Sequence, residues 1–418
     1  MLKEQANANY LRRWADEVRT GQPSPEVVSR AVGSYLLDIG LSQVHLHKWW
    51  TYYGSHHPAA LSIADIIEEA ATLSQRPTVR HTILIPIISV LPSPKDDGNW
   101  LNSTATAEWF GYWFPELSPP RQSGGLLLEF DARDVYAALE KAATIVARLT
   151  ARFRVGARGQ LTFADELYVL GEGKPRKYAQ RPRRVEVHAL QRTSAIFDLE
   201  LSPDLDSALE LLDPLDSGTP AAAIAGSWAA IEALFIGPGD TNHRVGAATR
   251  MARIVACSYV RAELTSLANA YAIDGNDGLA QQLRELPENV AKAKLLEDAL
   301  RGGAQLSYKR TRHNLALERM TELLARPDII LPNVIGQLED AFRRLYRQRN
   351  LVVHAGDLTS VALRGTLRTV APLVGAGIDR IVHASASSKI SPIALAAIAE
   401  VNLASVAEDG KRLMELLG

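Results

Sequence analysis

At 418 residues the chain is long for one domain and sufficient for two. Its 47% hydrophobic and 22% charged residues are those of an ordinary globular protein and exclude a disordered tail. A formal net charge of −1 excludes a protein that coats nucleic acid by bulk electrostatics, and leaves RNA contact to local patches.

The first residues, Met1-Leu-Lys-Glu-Gln-Ala, lack the charged-then-apolar pattern of a secretion signal. No apolar run approaches the roughly 18 residues that a membrane span needs. A cytoplasmic location with no membrane partner is therefore expected. Residues 1–75 read as helical. Ser24-Pro25-Glu26 has serine at the cap and proline at the first helical position, and the segment from Ser62 to Thr72 gives another helix. Between them lie His45, His47, His56 and His57, interleaved with Trp49, Trp50, Tyr52 and Tyr53. Four histidines invite a metal reading, but no carboxylate or cysteine completes the set, so no metal site is assigned. The aromatics favour packing or a docking surface.

From Thr82 the pattern changes. Thr82-Ile-Leu-Ile-Pro-Ile-Ile-Ser-Val and Gly125-Leu-Leu-Leu-Glu-Phe read as strands, and a helix is expected from Val135 to Phe153. Alternation near 160–170 and 184–196 predicts further strands. The cluster Asp213-Pro-Leu-Asp-Ser-Gly-Thr-Pro220 reads as a boundary, beyond which Ala and Leu recur at helical spacing. The expected architecture is an α+β amino-terminal domain over 1–215, which senses or positions a substrate, followed by an all-α domain over 216–418. The single cysteine, Cys257, lies in an apolar helical run of that second part. It excludes a disulfide framework and reads as a buried packing residue.

In the helix predicted over 334–353, Leu338, Phe342, Leu345 and Val352 form one apolar stripe, and Arg349 stands where that stripe asks for Leu or Val. Burying an arginine is costly unless it is paired, and a local rule broken in this way is enriched at functional sites. Asn350 and His354, four residues apart, share the neighbouring face, and Gly356-Asp357 leaves the histidine in the last turn. Arg380-Ile-Val-His383 is a near miss with a different spacing.

Arg349-Asn-Leu-Val-Val-His354 resembles the signature of HEPN domains, an arginine followed closely by a polar residue and then, a turn on, by histidine. Ser227-Trp-Ala-Ala-Ile-Glu-Ala-Leu-Phe235 and His243 to Arg253 are similar to the first two helices of the Apea-like branch of that family. The resemblance covers about residues 220–418. It implies an all-helical bundle of HEPN type, a homodimer with both motifs facing one cleft, and metal-independent endoribonuclease activity without a cofactor. Proteins of this kind are often toxins or anti-phage abortive-infection effectors, silent until triggered, which implies a protein trigger or an antitoxin as a partner. The residue types agree. RNA carries its own nucleophile in the 2′-hydroxyl, histidine moves protons, and arginine stabilises charge on the phosphorane.

Alternatives remain at the level of the residues. Arg349 paired with Glu232 beside a surface histidine is a purely structural reading, and leads to a non-catalytic binding or dimerisation protein. Glu232 also suits a supporting role, orienting the arginine for catalysis. The run Lys174, Arg176, Lys177, Arg181, Arg183 and Arg184 fits either an RNA-gripping hairpin loop or a solvated turn. A DNA-associated regulator using that loop is a third reading. Lys309-Arg-Thr-Arg-His313 is a shorter basic run. A Gly-rich phosphate loop, a Gly-x-Ser-x-Gly elbow and a His-Glu-x-x-His motif do not occur.

Overall fold

The computed structural model describes residues 9–21, 23–56, 62–89, 98–156, 161–177, 183, 185–191, 201–237, 243–356, 361–406 and 413–417. These residues are mostly helical, with one small antiparallel sheet. The chain divides into two compact units, Met1–Arg181 and Pro182–Gly418.

The first unit opens with four helices, α1 (Tyr10–Gly21), α2 (Pro25–Asp38), α3 (Gln43–His56) and α4 (Ile63–Ser74). Their starts are encoded locally. Ser24 caps α2 by accepting from the Val27 amide, and Ser62 forms a reciprocal capping box with Asp65 on α4. Leu11, Leu36, Ile67 and Leu73 close the core between them.

The sheet follows, with β1 (Val79–Ile87), β2 (Trp100–Asn102), β3 (Gly124–Ala132), β4 (Glu166–Val169) and β5 (Arg176–Lys177) in the order β2-β3-β1-β4-β5. Strand β1 pairs with β3 through the register Leu84↔Leu127. Its continuous apolar run has a cause: both faces are covered. Ile83, Ile85 and Ile87 face α6 (Val135–Gly156), whereas Leu84 joins Phe110 and Phe114 from α5 (Ser103–Trp113) and its end. Gly125 sits where α5 crosses, since a Cβ there would lie 2.9 Å from Thr106 Oγ1 and 2.8 Å from Leu84 Cδ1.

Asp134 joins α6 to α3. Its carboxylate accepts from the Ala137 amide, capping α6, and from both the amide and hydroxyl of Ser42, whose own oxygen caps α3 through the His45 amide. The carboxylate is buried, so Asp134→Ala leaves three donors without an acceptor. Urea unfolding should register a loss of about 2 kcal/mol. A loss within the few tenths typical of surface substitutions would show that water replaces the carboxylate at no cost.

The second unit begins with a short helix, α7 (His188–Gln191), then α8 (Pro203–Ser217), α9 (Pro220–Phe235), α10 (His243–Asp274), α11 (Gly278–Glu285), α12 (Asn289–Arg301), α13 (Thr311–Ala325), α14 (Pro327–His354), α15 (Val361–Ser388) and α16 (Pro392–Ala404). Helix α10 is the axis, packing against α9 and every helix from α11 to α16. Trp228, Phe235, Met251, Leu264, Phe342 and Ile378 belong to one continuous core. Cys257 is buried in α10, its thiol 3.7 Å from the Ala399 carbonyl of α16.

Two expectations change. Residues 185–191 form no strand. Val185 and Val187 alternate because they pack on the helical core, and the Ala189 amide donates to Asp379 on α15. Residues 184 and 192–196 of that expected strand lie outside the described residues. The Asp213–Pro220 cluster is also not a linker. Asp213 to Ser217 complete α8 with Pro214 inside the helix, and Thr219 caps α9. The helices touch closely, because a Cβ on Gly226 would lie 2.2 Å from the Leu211 carbonyl. Helix α8 therefore belongs to the helical unit, and the division falls between Arg181 and Pro182. Helix α5 and strands β2 and β5 were not foreseen, the last lying in the run read as a loop.

Candidate active site at the end of helix α14

Helix α14 lies on α10, α9 and α15. Phe342 and Leu345 are fully buried on its inner stripe, and Trp228 of α9 meets the Tyr346 ring at 5.0 Å. One turn beyond that aromatic contact on both helices, the apolar interface gives way to charge. Glu232 follows Trp228 by four residues, and Arg349 and Asn350 follow Tyr346. The side chains of Arg349 and Glu232 are 22% and 24% exposed, so this pair sits at the rim of the core.

The structure brings the four expected residues together. Arg349 Nη2 lies 3.7 Å from Glu232 Oε2, an ion pair too long for a hydrogen bond. Arg349 Nη1 lies 3.2 Å from both Asn350 Oδ1 and His354 Nε2. A guanidinium has no lone pair to offer, so its contact with Nε2 is a hydrogen bond only when that nitrogen accepts. Ala355 closes the helix and Gly356, at φ +64°, turns the chain away, leaving His354 exposed.

The basic run is divided among other tasks. Arg176 pairs with Glu172 and lies 5.5 Å from the Tyr136 ring centre. Arg183 is engaged within the fold. Its Nη1 donates to the Leu215 carbonyl at 2.8 Å and its Nη2 to the Gly218 carbonyl at 2.7 Å, closing the end of α8. Burial depresses its pKa from the ordinary arginine value, with Asp216 opposing the shift. Lys174 and Lys177 are exposed, while Arg181 and Arg184 lie outside the described residues.

The shorter run opens α13. Arg312 Nε lies 3.1 Å from His313 Nε2, and both line a shallow cavity of about 340 Å³ with Arg319, Ser266 and Glu263. In α3, Trp49 packs on the helical core of its unit while Trp50 and Tyr52 are exposed. Among the described residues no group of three or more His, Cys, Asp or Glu gathers as metal ligands, and no single helix is long and apolar enough to cross a membrane. His57 and the His56 side chain lie outside that description.

One basic feature was missed by the sequence reading. Arg343, Arg344 and Arg347 fall in the six residues before the motif and make four arginines in seven residues with Arg349. Attention to the apolar stripe concealed them, and a simple count of charge along the helix finds them. Compared with known protein families, curated proteins and solved structures, the chain matches none.

Proposed function

We propose that the helical unit is a HEPN-type, metal-independent endoribonuclease and that Arg349, Asn350 and His354 are its catalytic residues. The observation that carries the reading is the convergence of Asn350 Oδ1 and His354 Nε2 on one Arg349 nitrogen, at 3.2 Å each, on an exposed helix end. His354 Nε2 accepts the proton of an RNA 2′-hydroxyl, the 2′-oxygen attacks the adjacent phosphorus, and the 5′-oxygen leaves with a proton. A 2′,3′-cyclic phosphate and a 5′-hydroxyl result. Arg349 turns its donors to the equatorial phosphorane oxygens as charge develops there, with Glu232 holding the guanidinium from behind. Asn350 orients the phosphate. One motif has a single proton-transfer group, so the histidine of a second copy protonates the leaving oxygen, and a homodimer is the working form. In the cell such an enzyme is a toxin or anti-phage effector, kept cytoplasmic and silent until triggered.

The ion pair with Glu232 favours a second reading, in which Arg349 ties α14 to α9 in a non-catalytic dimerisation module. Two measurements separate the readings. Purified protein should cleave single-stranded RNA at an undiminished rate in EDTA, because the nucleophile comes from the substrate. A strand with 2′-deoxyribose throughout should resist cleavage altogether. Activity abolished by chelation and restored by one divalent ion would place the chemistry elsewhere.

A further inference from the structure

We infer that the outward face of α14 is a track for the phosphate backbone of single-stranded RNA, with Arg347 and Arg344 as its principal contacts and Arg343 at its far end. The inference deepens the ribonuclease reading and rests on it. At about 100° per residue, Arg343, Arg347, Asn350 and His354 fall within about 60° of one another, and Arg344 flanks that stripe about 60° around from Arg347. That stripe lies opposite Phe342 and Leu345, which are fully buried. Arg344, Arg347 and His354 are exposed, and the Arg343 side chain is 42% exposed. With a rise of about 1.5 Å per residue, Arg347 and Arg343 stand about 10 and 16 Å along the helix from His354. A strand with its scissile phosphate at His354 therefore passes both with the phosphates of flanking nucleotides.

Only part of this charge is spent within the fold. Arg343 pairs with Glu339 at 2.7 Å and Arg349 with Glu232. Among the described residues, no carboxylate lies within ion-pair distance of Arg344 or Arg347, although Asp340 is one turn from Arg344. Like charges three and four residues apart on a helix repel. Compensation by the helix dipole is confined to the last turn, and Arg347 precedes it by a full turn. An external polyanion supplies what the fold does not. Here sequence is not read, since every contact is to phosphate.

The test uses the full chain carrying His354→Ala, so that binding is measured without turnover. Binding of a fluorescent single-stranded RNA is followed by anisotropy across a salt titration. Adding Arg344→Gln and Arg347→Gln should weaken binding about tenfold and reduce the slope of log K against log salt by about 1.4, from about 0.7 per lost phosphate contact. An all-deoxy strand should show the same loss. Arg152→Gln, an exposed arginine of the first unit, should change neither quantity. Thermal melts of the variants should coincide, because the replaced side chains are exposed. An unchanged slope, an equal loss with Arg152→Gln, or no measurable RNA binding overturns the track. A reduced slope with a wild-type protein that never cleaves RNA upholds the track and removes the nuclease. Cleavage by wild type with an unchanged slope does the reverse.

Discussion

His354→Ala should fold as the wild type does and cleave RNA about 10²–10⁴-fold more slowly, the usual contribution of a general acid or base. The structural side of this expectation follows from position. His354 is the last residue of α14, its ring is exposed, and its hydrogen-bonding contact is the Arg349 guanidinium. Removing the imidazole opens no cavity in the core, so the thermal melt should shift by no more than a degree or two. The functional side follows from chemistry. Without Nε2 nothing in the arrangement accepts the 2′-hydroxyl proton, and in a dimer both cleavage half-reactions lose their proton carrier at once. Initial rates on a defined RNA, with a melt of each sample, measure both. A variant that cleaves as fast as wild type would falsify the ribonuclease assignment and leave the scaffold reading.

Arg183→Ala should lower stability by about 3 kcal/mol, with no effect on RNA affinity per folded molecule. The guanidinium donates to the carbonyls of Pro214, Leu215 and Gly218, and the Arg183 amide donates to the Asp216 carbonyl. The Pro214 carbonyl also accepts from the Gly218 amide, and the Asp216 bond survives truncation, so the acceptors that depend on the side chain are the Leu215 and Gly218 carbonyls. Truncation strands these two in a partly buried setting and deletes packing volume as well. Arg183→Met separates the two contributions, since it fills the space without making the bonds. It should recover part of the loss, because the desolvation cost of the buried charge is relieved while the carbonyls stay unpaired. Urea midpoints for the two variants give the comparison. Equal stability of wild type and Arg183→Ala would return this residue to the pool of available phosphate ligands.

What was legible in the sequence was chiefly what is decided within a few residues. The cap at Ser24, the helix beginning near Ser62, the strands at β1 and β3 and the length of α6 rest on contacts spanning a single turn or on strict alternation. The placement of Arg349, Asn350 and His354 on one helix end was legible for the same reason. Its pairing with Glu232 needed one further guess, that α9 lies alongside α14. Arg183 was not legible, since its acceptors stand more than thirty positions away on the far side of a segment with no helical signal. The strand expected around Val185 failed because alternation reports a half-buried chain, and the edge of a helical bundle half-buries an irregular chain as readily as a sheet does. The Asp/Pro/Ser/Gly cluster misled because Pro214 is accommodated inside α8.

The close crossing of α8 and α9 fixes how little of the chain can be cut away. Leu205, Leu212 and Leu215 of α8 share one buried cluster with Ile224 and Trp228 of α9, and Gly226 is where the two backbones meet. A fragment starting at residue 216, where turn-forming residues suggest a natural beginning, loses that partner helix. It exposes the apolar side of α9, the very helix that presents Glu232 to Arg349. A fragment reaching back through Arg183 keeps both helices and the clasp on the end of α8. A stretch that holds the Arg349 site in register therefore includes α8, which begins 17 residues before the first helix that touches the site (Pro203 against Pro220).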